Sequence, residues 1–164
     1  MSLDGYIAGP NGEADWIVMD PEIDFGAIFN RYDTLVMGRG SYEAMQAMGG
    51  GGVWDGMKTV VASATMRPGD HPSLTIVNDA ESFVRAEKQT PGKDIWLFGG
   101  GALFQHLLSA DLVDGVDVAI VPVLLGGGVP FLATPAPRAQ LKLTDHRLYQ
   151  TSGIMFLQYE LARP

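Results

Sequence analysis

The chain has no cysteine, three histidines and only 18% charged residues in 164. Without cysteine there is no disulfide and no thiolate metal site. His71, His106 and His146 lie far apart, with no HxH or HxxxH spacing, so a histidine-based metal motif is missing too. Basic residues are scarce: 11 Lys and Arg stand against 19 Asp and Glu, a formal charge of −8. That sign counts against nucleic acid or an anionic membrane as the main partner. No apolar run approaches the roughly 20 residues needed to cross a bilayer. No charged start leads into a hydrophobic segment and a small-residue cleavage site. The expectation is a cytoplasmic protein that binds no metal.

Hydrophobic residues make up 46% of the chain, and 21 residues are glycine. A chain of this length can bury a substantial core, and no linker or repeat divides it, so a single domain over residues 1–164 is expected. Strand-like and helix-like segments alternate, the pattern of an α/β architecture. MSLDGYIA reads as the tail of a strand entering the loop GPNGEADW. Asp20-Pro21 has the form of an N-cap and first helical position, with Phe25, Ile28, Phe29 and Tyr32 on one helical face. Strands are expected at 33–38, 58–62, 74–77 and 94–98. Helices are expected from Arg39 with Ser41 as cap, after Asn78 with Glu81 in a capping box, and over Leu103, Phe104, Leu107 and Leu108. Residues 116–125 read as a buried strand ending near Pro122, and 141–148 with 154–161 as an antiparallel closing pair. The glycine run at 49–52 reads as a flexible surface loop.

Three glycines at 99–101 separate an apolar strand from an apolar helix in WLFGGGALFQHLL. Glycine loses much backbone freedom on folding, so the triplet serves either a tight turn or a close approach to bare backbone. A helix N-terminus presents unpaired N–H groups and the positive end of the helix dipole, which suits a phosphate. The triplet matches neither the GxGxxG fingerprint nor the P-loop. MGRGSYE likewise leaves a strand and opens a helix, adding Arg39 and Ser41, and VVASATM brings Ser63 and Thr65 to a third strand end. A dinucleotide lying across the carboxyl edge of a sheet needs such groups at several strand ends. The acidic stretch EADWIVMDPEID lacks ligand spacing, and carboxylates near a helix start are explained by the dipole.

MSLDGYIAG, DTLVMGRGSYE, VVASATM, WLFGGGALFQHLL and VPVLLGGGVPF, in that order, resemble the dihydrofolate reductase-like superfamily. The likeness is to its riboflavin-biosynthesis reductase branch, as a stand-alone member, and covers essentially the whole chain. It implies a mostly parallel central sheet of about eight strands, helices on both faces and an antiparallel C-terminal hairpin. It implies NADPH as cofactor, with Gly38, Arg39 and Ser41 at the adenosine phosphates and Ser63 nearby. Gly99, Gly100, Gly101, Ala102, Leu103 and Phe104 would pass beneath the pyrophosphate, the Gly99–Gly100 peptide being cis. Ile7 and Ala8 would flank the nicotinamide. Pairing as a homodimer through the sheets is also implied.

The implied activity is hydride transfer to a C=O or C=N group of a small pterin-, pyrimidine- or ribose-like molecule. The reduced group needs a proton, for which Asp4 is the first candidate and Asp24 the second. Trp16 and Phe25 are candidate walls of the substrate pocket. The chain departs from folate reductases where their pterin-fixing carboxylate falls on Pro21, flanked by Asp20, Glu22 and Asp24. Ala102 replaces a common arginine and Ala64 a second serine, so recognition of a 2′-phosphate rests on Arg39 and Ser41. No HxE or PCxxC deaminase motif accompanies the reductase segments. Residues that complete the first strand in relatives precede SLDG, so the expectation is either a shortened first strand or a start assigned late. A true dihydrofolate reductase and a nucleotide-binding dimer without catalysis are the alternatives.

Overall fold

The computed structural model describes residues 1–49 and 56–162; of the glycine run at 49–52 only Gly49 falls within them. The chain forms two compact units, Phe25–Leu112, and Met1–Asp24 with Val113–Pro164.

The first of these is α/β. Its sheet has the order β4-β3-β2-β5, from β2 (Tyr32–Gly38), β3 (Lys58–Ala62), β4 (Thr75–Val77) and β5 (Asp94–Gly99). Every neighbouring pair is parallel. Leu35, Val36 and Met37 of β2 and Val60 and Val61 of β3 have no exposed surface. Consecutive apolar residues suit a parallel strand covered on both faces, where alternation would leave polar groups buried. Leu35, Met37 and Val61 form a core cluster with Met45 and Leu74, against which Tyr42, Met57, Met66, Ile76 and Trp96 pack. Helix α2 (Arg39–Ala47) follows β2, α3 (Ala80–Glu87) follows β4, and α4 (Gly101–Ser109) follows β5. Leu107 and Leu108 supply the buried part of the apolar stripe on α4, with Leu103 and Phe104 half-buried.

The second unit carries two antiparallel sheets. β6 (Gly115–Ile120), β9 (Met155–Leu161) and β8 (Leu141–Leu148) lie in the order β6-β9-β8. β1 (Tyr6–Ala8) pairs with the two-residue β7 (Val129–Pro130). Val121, Tyr149 and Ile154 form the core of this unit, with Trp16, Ile23 and Val123 packed on it. The described residues therefore hold a four-stranded parallel sheet and five antiparallel strands, rather than one sheet of about eight. β1 and β7 are too short to show a period in sequence.

Several helix starts differ from expectation, the first of them for a plain physical reason. Short polar side chains bond to backbone in turns as readily as they cap helices. Asp20 accepts the Glu22 N–H at 2.9 Å and the Ser152 N–H at 3.0 Å, so it closes a turn. Helix α1 starts only at Phe25 and lasts to Phe29, and Tyr32 already belongs to β2. Gly38, not Ser41, is the N-cap of α2. Asp79, not Asn78, caps α3, accepting the Ser82 N–H at 2.9 Å. At the N-terminus MSLDGYIA is not one continuous strand. Ser2 makes an isolated parallel bridge with Val121, residues 2–5 turn, and β1 begins at Tyr6.

Candidate functional site

Parallel strands place their carboxyl ends together. Gly38 of β2 is in register with Ala62 of β3, and Met37 with Gly99 of β5. The ends of all three strands thus form one edge, with β2 in the middle. From this edge α2 starts directly after Gly38, and α4 directly after Gly100. Neither N-cap has a side chain to accept a hydrogen bond, and the first N–H groups of a helix have no partner within it. A Cβ built on Gly38 would lie 3.9 Å from both Gly100 N and Gly99 O. Two bare-backbone turns therefore adjoin, each aiming the positive end of a helix at the same edge. Such a cradle favours negatively charged oxygen.

The Gly99–Gly100 peptide is cis. Gly99 has φ +121°, which L side chains rarely adopt, and the Gly100 carbonyl accepts the Phe104 N–H at 3.0 Å. Gly101 is buried; Ala102 is exposed, and Leu103 and Phe104 are half-buried. Arg39 lies in the first turn of α2, exposed, with its guanidinium 3.6 Å from the Glu43 carboxylate. An exposed pair of this kind contributes little and leaves the arginine easily recruited by a stronger anion. Ser41 is half-buried, the third residue of α2. The Ser63 hydroxyl accepts the N–H groups of Thr65 at 3.2 Å and Met66 at 3.1 Å, shaping its own turn. Gly38, Arg39, Ser41, Ser63 and the 99–104 segment thus gather at the carboxyl edge of one sheet.

Phe25 also belongs to this unit, in an aromatic row. Its ring centroid lies 5.9 Å from that of Phe29, which lies 5.5 Å from Trp96. Trp96 is flanked in turn by Tyr32 and Phe98, each at 5.5 Å. Asp24, exposed, immediately precedes α1.

Asp24 and the remaining predicted residues lie in the other unit. Ile7 and Ala8 are half-buried in β1. Trp16 packs against the core of Val121, Tyr149 and Ile154, and its ring N–H donates to the Glu13 carbonyl at 3.1 Å. Asp4 sits in the turn before β1. Its carboxylate accepts the Gly126 N–H at 2.7 Å and the Leu125 N–H at 3.2 Å. Hydrogen bonds from the Ser2 hydroxyl first, and then from these backbone groups, hold the Asp4 carboxyl below the usual carboxylate range. Leu125 and Gly126, at the start of a glycine run that had no chemical role in the sequence, supply the partner segment. No local pattern announces that pairing, because its two halves are 122 positions apart.

A sequence profile of the RibD C-terminal domain matches residues 1–155. The chain belongs to this family. Relatives of the RibD C-terminal domain member include YyaP of Bacillus subtilis (strain 168), an uncharacterized protein 33% identical over 97% of this chain and 90% of its own. A second uncharacterized protein of that organism, YwjB, is 28% identical over 87% and 84%. Among solved structures, a Shewanella sp. PV-4 protein provisionally assigned to riboflavin biosynthesis superposes with a TM-score of 0.83. It is 26% identical, with 99% of this chain and 96% of that one covered. Dihydrofolate reductase from Enterococcus faecalis, solved with NADP(H), gives a TM-score of 0.72 at 16% identity over 99% and 93%. At that identity the likeness carries the fold alone. The family member thus has a dihydrofolate reductase-like fold, as its motif order implied.

Proposed function

We propose that this RibD C-terminal domain family member is an NADPH-dependent reductase of a C=O or C=N group in a small pterin-, pyrimidine- or ribose-like molecule. The observation that carries the reading is the pair of adjoining glycine turns at the ends of β2 and β5, each opening a helix with no side chain at its N-cap. Their N–H groups and helix dipoles suit a pyrophosphate, and the bare Cα atoms let it approach. The residues therefore fit a pyridine dinucleotide. Gly38, Arg39 and Ser41 would hold its adenosine phosphates with Ser63 nearby, residues 99–104 its pyrophosphate, and Ile7 and Ala8 its nicotinamide. Arg39 can offer two aligned donors to the 2′-phosphate that distinguishes NADPH from NADH.

The bound cofactor supplies hydride. The chain orients the two reactants, excludes water and delivers a proton. A proton donor near neutrality needs a carboxyl held in its acid form, whereas Asp4 is held ionised. Water ordered beside the second candidate, Asp24, relays the proton in this reading, and the row containing Phe25 offers an aromatic wall to a heteroaromatic ring. The test is coenzyme oxidation followed by absorbance with a panel of carbonyl, imine and pterin compounds. Turnover with NADPH exceeding that with NADH is expected for at least one compound class. Tight coenzyme binding without turnover on any of them would leave a binding module in its place.

A further inference from the structure

Asp4 makes more contacts than a turn residue needs. Its Oδ2 accepts the Gly126 N–H at 2.7 Å, and both carboxylate oxygens lie 3.2 Å from the Leu125 nitrogen. Two residues earlier, the Ser2 hydroxyl accepts the Tyr6 N–H at 2.9 Å, and the Leu3 N–H donates to the Val123 carbonyl at 2.9 Å. Further along, the Gly5 carbonyl accepts the Phe131 N–H at 2.9 Å. Tyr6 pairs with Pro130 and Ala8 with Val129, with an irregularity between them. A Cβ on Gly128 would overlap the Ala8 carbonyl, so here two backbones touch where only glycine fits. The turn, β1 and the loop up to β7 are thus joined from Leu3 to Ala8. Asp4 stands next to one end of that seam and the Gly128–Ala8 contact at the other.

We infer that Asp4 is a positioning residue: its carboxylate latches residues 125–126 onto the turn before β1 and thereby sets where Ile7 and Ala8 stand. The kinetic part of this inference rests on the reductase reading above; the latch does not. A β1 of three residues paired to a strand of two cannot fix its own register by ladder bonds alone. An ionised carboxylate accepting backbone N–H groups adds charge-assisted bonds at the position where the ladder is missing. The same bonds remove Asp4 from proton donation, since a carboxylate engaged as acceptor holds no proton to give.

The experiment compares wild type, Asp4→Asn and Asp4→Ala in the full chain. Asn keeps one acceptor oxygen and Ala none, and the position is exposed, so both variants should fold. The first readout needs no coenzyme. Amide hydrogen exchange at Leu125 and Gly126 is expected to speed up by about tenfold or more in Asp4→Ala, less in Asp4→Asn, with β2 unchanged. The second readout is turnover. A fall in kcat of about tenfold in Asp4→Ala is expected, partly restored in Asp4→Asn, with the wild-type pH profile keeping its shape. Unchanged exchange at Leu125 and Gly126 overturns the latch. Faster exchange with wild-type kcat overturns the positioning role. A loss of about a thousandfold in both variants, with one limb of the pH profile gone, overturns it in favour of proton donation. A wild type that oxidises no coenzyme removes the reaction and the positioning role with it, while the exchange rates still report on the latch.

Discussion

At the scale of single residues, the glycines at the sheet edge divide into two kinds. Gly99 is required by the chain itself: its φ of +121° excludes a side chain even though no atom lies within 4 Å of the Cβ it would carry. Gly99→Ala should therefore lower stability by about 1–3 kcal/mol in urea unfolding. A difference near zero would show that the turn accepts an ordinary residue. Gly38 is of the other kind. Its φ is −78°, open to any residue, and its virtual Cβ makes only ordinary contacts at 3.9 Å. Nothing within the unit demands glycine there; in the proposed reading, the dinucleotide that approaches the edge does. The sequence shows both as G and cannot tell them apart, because the difference lies in backbone angle and neighbouring atoms. Ser63 illustrates a related limit: its hydroxyl accepts two N–H groups of its own turn, a contact that its place at a strand end does not announce.

Secondary-structure elements were read well where burial decides and less well where capping does. The apolar runs of β2 and β3 and the buried positions of α4 follow directly from the sequence, because the parallel sheet must hide them. Helix starts are less legible, since a short polar side chain such as Asp20 bonds to the N–H groups of a turn instead of opening α1. α3 shows the consequence. Asp79 caps it through the Ser82 N–H, and Asn78 stands one residue too early. Asp79→Ala should lower the melting temperature near neutrality by about 2–4 °C, whereas Asn78→Ala should leave it nearly unchanged. Hydrogen bonds from the Ser82 side chain and backbone hold the Asp79 carboxyl below its ordinary range. A depressed folded-state value means the charge stabilises the fold above the ordinary carboxylate range, and the contribution disappears as pH falls through the depressed value. Melting curves of wild type and Asp79→Ala should therefore converge in acid. A gap that persists below that range would mean the cap acts without its charge.

Across the molecule, the fold class and the gathering of Gly38, Arg39, Ser41, Ser63 and residues 99–104 were readable because each motif ends a strand of one parallel sheet. Parallel neighbours put such ends side by side whatever lies between them in sequence. The antiparallel unit was less transparent. Its hairpin β8–β9 was visible, but the bridge of Ser2 to Val121 and the Asp4 contacts with residues 125–126 join segments more than a hundred positions apart. They depend on two turns meeting, which no period in sequence encodes. Family membership rests on the match to the RibD C-terminal domain over residues 1–155. The central functional claim is narrower than the family: side-chain-free turns at adjoining strand ends hold a pyridine dinucleotide against backbone amides. Its most direct test is titration of NADPH into wild type and Gly38→Ala, with the melting temperature of each recorded alongside. Saturable binding by wild type, about tenfold weaker in the variant at an unchanged melting temperature, is expected. No saturable binding by wild type, or equal affinity in the two proteins, would contradict it.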